Sequence, residues 1–286
     1  LSAALGVEVT ELFGPTAAAV DVASGTVPGD GSLVRTGRVG ERIVTAPALV
    51  GDAGWDAADG RVEEGRVSYF GRLRPGIVVA GCEPGLEVLE RLQREQGRAA
   101  VAATASTAAA VEALRTGRVH AAVVHGPAPE TNPALQQVDV ARYRLATWRV
   151  GLAGAPGAPE GWWQPVLAGR SVVVQREPGA GVQQALVRAA ATTAPLPGPQ
   201  VGTHLEAARR TAMNGLPAVT IEPAALALGV RFHPLETHRV ELWIATEWLG
   251  DAMVTAALET IGGSRFQQRL SAIGGYDLSD SGTRIS

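Results

Sequence analysis

Residues 76 to 92 read GIVVAGCEPGLEVLERL, and the hydrophobic period changes in the middle of them. Ile77, Val78 and Val79 form a continuous β-branched run, as a strand covered on both faces requires, whereas Leu86, Leu89 and Leu92 recur at helical spacing. The stretch therefore predicts a strand, a turn at Gly81-Cys82-Glu83-Pro84 and a helix, the repeating unit of an open α/β sheet. That turn lies beyond the carboxyl end of a strand and at the amino end of a helix, where such sheets hold ligands. Cys82 and Glu83 are accordingly the first candidate site residues.

The unit recurs downstream. AAVAAT (99–104) reads as a second strand, and Ser106 or Thr107 as the cap of a helix that carries Val111 and Leu114 and stops at Gly117. HAAVVHG (120–126) is a third strand, and residues 143–153, YRLATWRVGLA, a long fourth one. A second lobe repeats the plan: Ser171 to Gln175 as a strand, REPGAG (176–181) as a turn, then a helix with Val182, Leu186 and Ala189 on one face. A helix from Leu205 to Met213 stops at Asn214-Gly215, and a short strand from Ala218 to Ile221 meets Pro223 at the first turn of another helix. The strand RVELWIATEW (239–248) is long enough to cross back between lobes, and the tail predicts helices over Asp251 to Ile261 and Ser264 to Ile273.

Before this body, residues 33–75 alternate strand-like pieces with Gly/Asp turns, a small β-rich lead-in. Residues 15–32 have the Pro, Gly, Ala and Ser content of a linker, and residues 1–14 open with apolar Leu1, Leu5, Leu12 and Phe13 that have no preceding partner. The expected division is thus 1–14, 15–32, 33–75, a first lobe over 76–147 with 244–286, and a second lobe over 148–243.

The 286 residues are 46% hydrophobic, enough for two buried cores. A net charge of -3 without any basic run argues against a nucleic-acid surface in this body. No lysine is present, so every basic side chain apart from histidine is arginine. The single cysteine excludes an internal disulfide and favours a cytoplasmic setting. No membrane span and no signal segment are expected.

Seven strings in order, RVGER, ADG, VAGCEPGLEVL, ALRTGRVHAAVVHG, REPGAGVQQ, TIEPAALALGVRFHPL and GGYDLSDSGT, give residues 35–283 a resemblance to a known family. The body resembles the periplasmic-binding-like sensor domain fused behind helix-turn-helix regulators and related to molybdate-binding proteins. Residues 1–14, LSAALGVEVTELFG, resemble the end of a lambda-repressor/Cro-type (XRE-type) helix-turn-helix domain. The resemblance implies an α/β, two-lobed, type II periplasmic-binding-protein-like fold with an N-terminal helix-turn-helix remnant. It also implies a cytoplasmic, ligand-sensing, non-enzymatic part of a dimeric transcriptional regulator. Its partners would be a small-molecule or oxyanion effector and, through the missing N-terminal domain, operator DNA; no resident cofactor and no metal are expected. A solute-binding protein of an ABC-type uptake system, or an enzyme on the same fold, are the alternatives. The family's second glycine-rich turn commonly carries Ser and Arg, as in GSGxR, where this chain has Gly179-Ala180-Gly181-Val182-Gln183, which weakens a molybdate assignment.

The ligand-binding candidates are Cys82, Glu83, Ser106, Thr107, His125, Arg176, Gly179, Thr220 and Glu222. Ser106 and Thr107 either meet an anion at a helix start or simply cap it. Arg176, at the strand-to-helix turn of the second lobe, either clamps a carboxylate or oxyanion or lies on the surface. Thr220 is a further hydroxyl donor. Glu222 either caps its helix, the favoured reading, or meets a cationic group. Cys82 with His125 suggests a Cys-His nucleophile, but no third orienting group is evident. His120 and His125 sit five apart on one strand, on opposite faces, and the same spacing separates His233 from His238, so neither pair makes a zinc site. Trp148 and Trp243 fall in the crossing strands, where they either stack on a ligand or pack the hinge.

Overall fold

The computed structural model describes residues 18–48, 58–71 and 74–286. The helix-turn-helix reading of residues 1–14 lies outside them.

The β-branched run forms β6 (Gly76–Gly81), and its alternating side chains divide between two layers. Ile77 and Val79 pack with Leu86, Leu89 and Leu92 of α1 (Gly85–Glu95). Val78 and Ala80 face the other way, into a core with Val111 and Leu114 of α2 (Thr107–Arg115) and with Val39 and Val44 of the lead-in. A strand with both faces covered is what an unbroken β-branched run supplies.

β6 lies between β7 (Ala99–Thr104) and β8 (Ala121–Gly126), parallel to both. The first strand of the α/β body thus lies between the second and the third, one in from the β7 edge. Beyond β8 the sheet continues through β11 (Arg231–Ala245) and β9 (Val140–Gly154), antiparallel to each other, to β10 (Ala218–Ile221). The second half repeats the order: the strand at Val174-Gln175 sits parallel between Ala218 on one side and Gln200 on the other. β9 and β11 serve both halves, so the two lobes share a hinge of two long strands.

Three helices complete the second half: α3 (Trp163–Leu167), α4 (Gly181–Ala189) and α5 (His204–Asn214). After β10 comes α6 (Glu222–Ala227). The tail forms α7 (Ala252–Gly262), capped by Asp251 through Met253 N and Val254 N, then α8 (Ser264–Ile273) and β12 (Tyr276–Asp277). β12 pairs with β9 at Trp148 and so returns the tail to the hinge.

The lead-in is a five-stranded sheet of order β1-β3-β2-β4-β5, from β1 (Val20–Asp21), β2 (Leu33–Val39), β3 (Arg42–Pro47), β4 (Gly60–Glu63) and β5 (Arg66–Tyr69). It packs on β6 so closely that a Cβ at Gly37 would stand 2.4 Å from Val78 Cγ2.

Three sequence expectations change. Residues 18–32 carry linker composition, yet β1 pairs with β3 and Ala19 and Val22 are fully buried, because two apolar side chains suffice to dock a two-residue strand. Ser171 to Gln175 makes only single bridges. Its neighbours are Pro197, Pro199 and Pro217, whose carbonyls accept from Val173, Gln175 and Val174 but which have no N–H to return. The strand predicted over 239–248 begins eight residues earlier, at Arg231, since a register shift at Pro234/Glu236 breaks the alternation without ending the pairing, and it stops at Ala245. Among the described residues no helix is long and apolar enough to cross a membrane.

Candidate functional site

The carboxyl ends of β6, β8 and the Val174-Gln175 strand converge where the two halves meet. Cys82 follows β6 and is buried, with its Sγ 3.2 Å from Nε2 of His125 at the end of β8. His125 Nδ1 lies 2.9 Å from Nδ1 of His238 on β11, and His238 Nε2 lies 2.6 Å from Glu236 Oε1. A carboxylate only accepts, so a neutral His238 donates from Nε2 and accepts at Nδ1, which places the His125 proton on Nδ1. His125 Nε2 then points a lone pair at the thiol. Burial, with His238 and Arg176 adding, pushes His125 down to about 3, so the ring stays neutral.

Gly181, the first residue of α4, brings the second lobe against this histidine: a Cβ there would lie 2.9 Å from His125 Cε1. Across the same gap stands Arg176, whose side chain is 0% exposed. Its guanidinium donates Nε and Nη2 to Glu177, each at 3.1 Å, and Nη1 to Nδ1 of His204 at 3.3 Å. His204 is the first residue of α5, placed by Thr203, whose hydroxyl caps Glu206 N, and by Thr220 Oγ1, which donates to the His204 carbonyl at 2.9 Å. Because arginine can only donate, the neutral His204 carries its proton on Nε2. Among the described residues that atom is buried without a partner. Burial first, then Arg176, holds His204 well below the usual histidine value.

Trp148 of β9 completes the wall, with ring centroids 5.4 Å from His125, 6.4 Å from His204 and 6.1 Å from Tyr276. Its Nε1, like Thr107 Oγ1, is buried without a partner. Glu83 is buried too: Oε1 accepts from Tyr276 Oη at 2.7 Å and from Gly85 N at 2.5 Å, while Oε2 is unpaired. Burial raises this carboxyl to about 7.

The sequence-derived candidates divide on this geometry. Cys82, Glu83, His125 and Arg176 are buried at the junction, and the Arg176 surface alternative falls because the side chain is enclosed. Gly179 faces the first lobe, where a Cβ would lie 3.8 Å from Ser106 Oγ and Ala108 Cβ, but Gly181 makes the close approach. Ser106 caps α2 through Ala109 N, leaving Thr107 as the hydroxyl without a partner. Thr220 supports His204 and has its proton committed there. Glu222 is neither the cap nor an open ligand group: it makes no cap bond and pairs with Arg149 through both carboxylate oxygens, since Arg149 on the adjacent β9 reaches it first. The Cys-His nucleophile acquires the orienting groups that the sequence did not offer, His238 and Glu236, but burial pushes the thiol up to about 12 and holds it as S–H, the unreactive form. His204, His238, Glu236 and Tyr276 were not singled out as site residues, and only the capping Thr203 before His204 marked a helix start. Trp243 packs in the core and donates Nε1 to Glu241 at 2.9 Å, so of the two tryptophans only Trp148 lines the site.

A groove of about 720 Å3 lies elsewhere, between the lead-in and the β7 edge, lined by Arg35, Tyr69, Arg74, Glu90, Arg94 and Arg98. No residue of the cluster above reaches it.

Two lobes of repeated strand order, two shared crossing strands and a buried polar cluster at their junction define a cleft-type ligand-binding domain. The chain belongs to the PBP superfamily, whose domain model matches residues 89–262. Among solved structures, a Clostridium perfringens protein crystallised with bound phosphate superposes with a TM-score of 0.55 at 10% identity, over 71% of this chain and 98% of that one. An ABC-type phosphate transport receptor from Vibrio cholerae gives 0.51 at 11% identity, over 70% and 99%. A tungstate ABC transporter protein from Geobacter sulfurreducens gives 0.50 at 10% identity, over 68% and 97%. At these identities the likeness is one of fold. No curated protein matches the chain.

Proposed function

We propose that this domain closes on a small anionic ligand at the junction of its lobes and serves as the effector-sensing part of a helix-turn-helix transcriptional regulator. The observation that carries the anion is the enclosed Arg176 guanidinium beside two partnerless buried N–H donors, His204 Nε2 and Trp148 Nε1. Buried donors without acceptors cost free energy that an incoming anion recovers. Thr107 offers a further buried hydroxyl in the first lobe. The phosphate and tungstate named for the structural neighbours belong to the same chemical class. The regulatory half of the proposal rests on the resemblance of residues 1–14 and 35–283. Closure changes the spacing of paired DNA-binding domains to the extent that the ligand prefers the closed state.

The test is a thermal-shift series with phosphate, tungstate, molybdate and sulfate on the native chain and on Arg176→Met. An anion at 100 times its dissociation constant adds about 2.7 kcal/mol, a rise of roughly 5 °C for a chain of this size, and the variant should lose it. An equal rise in the variant, or none with any anion on the native chain, refutes the anion reading.

A further inference from the structure

Cys82 Sγ and one ring nitrogen each of His125 and His204 lie within 4.8 Å of one another, and all three residues are buried. We propose that these side chains form a three-ligand site for a soft monovalent metal ion of the Cu(I) type. The metal does not require the anion, and because both use His204 Nε2 they are alternative occupants of that atom.

Three features of the cluster carry it. The donor set is one sulfur and two imidazole nitrogens, which selects thiophilic transition metals over calcium or magnesium. A planar three-coordinate ion with bonds of 2.0–2.3 Å needs ligand atoms about 3.6 Å apart, so the sulfur and Nε2 at 3.2 Å open by a few tenths of an ångström and the remaining pairs, inside 4.8 Å, close by at most about 1.2 Å. His125 is already prepared: Glu236 and His238 fix its proton on Nδ1 and leave the Nε2 lone pair directed inward, the outer-shell arrangement that metal-bound histidines use. Glu236 is itself held by Arg188 of α4, Nη2 to Oε1 at 2.5 Å, so the supporting chain crosses from one lobe to the other.

His204 supplies the third position through Nε2, the buried ring nitrogen that has no partner. Ligation there moves the ring proton to Nδ1, so the 3.3 Å contact with Arg176 opens and the guanidinium stays on Glu177. Charge selects the ion's valence. Arg176 and Glu177 cancel, and a thiolate with a monovalent ion adds nothing further, whereas a divalent ion would leave a net positive charge in an enclosed site. Binding releases one proton per ion, the Cys82 thiol proton.

The experiment is an anaerobic titration of the reduced native chain with Cu(I) against a colorimetric chelator, with Zn(II) in parallel. X-ray absorption on the loaded native protein reads the ligands without any variant. The expected result is one Cu(I) per chain bound through one sulfur and two nitrogens. Binding should be lost in Cys82→Ser and His204→Gln, weakened 10–100-fold in His238→Gln, and unchanged in His233→Gln, a histidine stacked on Trp163 away from the cluster. Circular dichroism confirms that each variant is folded. No Cu(I) uptake, a spectrum without sulfur, tighter Zn(II) than Cu(I), or full binding by folded Cys82→Ser overturns the proposal. The anion series with Arg176→Met is run on the metal-free chain, so that failure of the anion reading and failure of the metal site are told apart.

Discussion

At the scale of single residues the site depends on how closely the second lobe approaches His125. Gly181 has no side chain where a methyl would press on the imidazole at 2.9 Å from Cε1 and 3.2 Å from Nδ1. Gly181→Ala must displace a ring held on both sides, by Cys82 and by His238, and should cost about 1–3 kcal/mol in urea unfolding, as overpacked cores do. Gly179→Ala, two positions earlier, meets nothing closer than 3.8 Å and should stay within about 0.5 kcal/mol of the native chain. Equal effects for both would show that the glycines serve backbone conformation, not the contact with His125. Cys82, Glu83 and His125 were legible in the sequence because each stands at the carboxyl end of a readable strand. Trp148 was legible only as one of two alternatives, a ligand contact or hinge packing, and His204 was not, since a helix-start histidine carries no local mark of what it will face.

At the scale of elements, the crossing strands β9 and β11 do the joining, and they are fastened by a buried carboxylate. Glu241 of β11 accepts from Arg142 Nε at 2.8 Å and Nη2 at 2.9 Å and from Trp243 Nε1 at 2.9 Å, with Arg144 Nη1 at 3.6 Å. Glu241→Ala leaves two largely buried guanidinium groups without their anion and should cost about 3–5 kcal/mol, with Glu241→Gln milder because it keeps an acceptor. The urea midpoints of the two variants rank the charge against the hydrogen bonds; no loss in either would mean the clasp is energetically idle. The strand at Val174-Gln175 shows the opposite case. Its apolar run predicted a full strand, but prolines on the neighbouring segments reduce the ladder to single bridges.

For the whole molecule, closing two lobes over polar groups makes stability depend on pH in two opposed ways. Burial lowers His125, His204 and His238, each neutral in the folded state and able to take a proton near 6.5 when unfolded. Their contribution is present above 6.5 and is lost as pH falls below it, towards about 3 for His125. Glu83 runs the other way. Raised from 4.5 to about 7, it is protonated in the fold, so its contribution is present below 4.5 and lost as pH rises through about 7. Glu83→Gln should therefore gain on the native chain between those values, by on the order of 3 kcal/mol. Urea unfolding across that window measures it, and a constant difference would show that Glu83 titrates normally.

The sequence by itself determined the order of strands and helices, the repeat of the strand-turn-helix unit in two lobes and the existence of two long crossing strands. Those features follow from hydrophobic period, capping residues and strand length, all of them local. Only the tertiary structure decided the site. Cys82, His125, His204 and Arg176 are separated by up to 122 positions and meet because two halves of the same strand order are joined through the long shared strands β9 and β11. Which way each imidazole carries its proton depends on partners from other elements, Glu236 and His238 for one ring and Arg176 for the other, and no window of sequence contains those contacts.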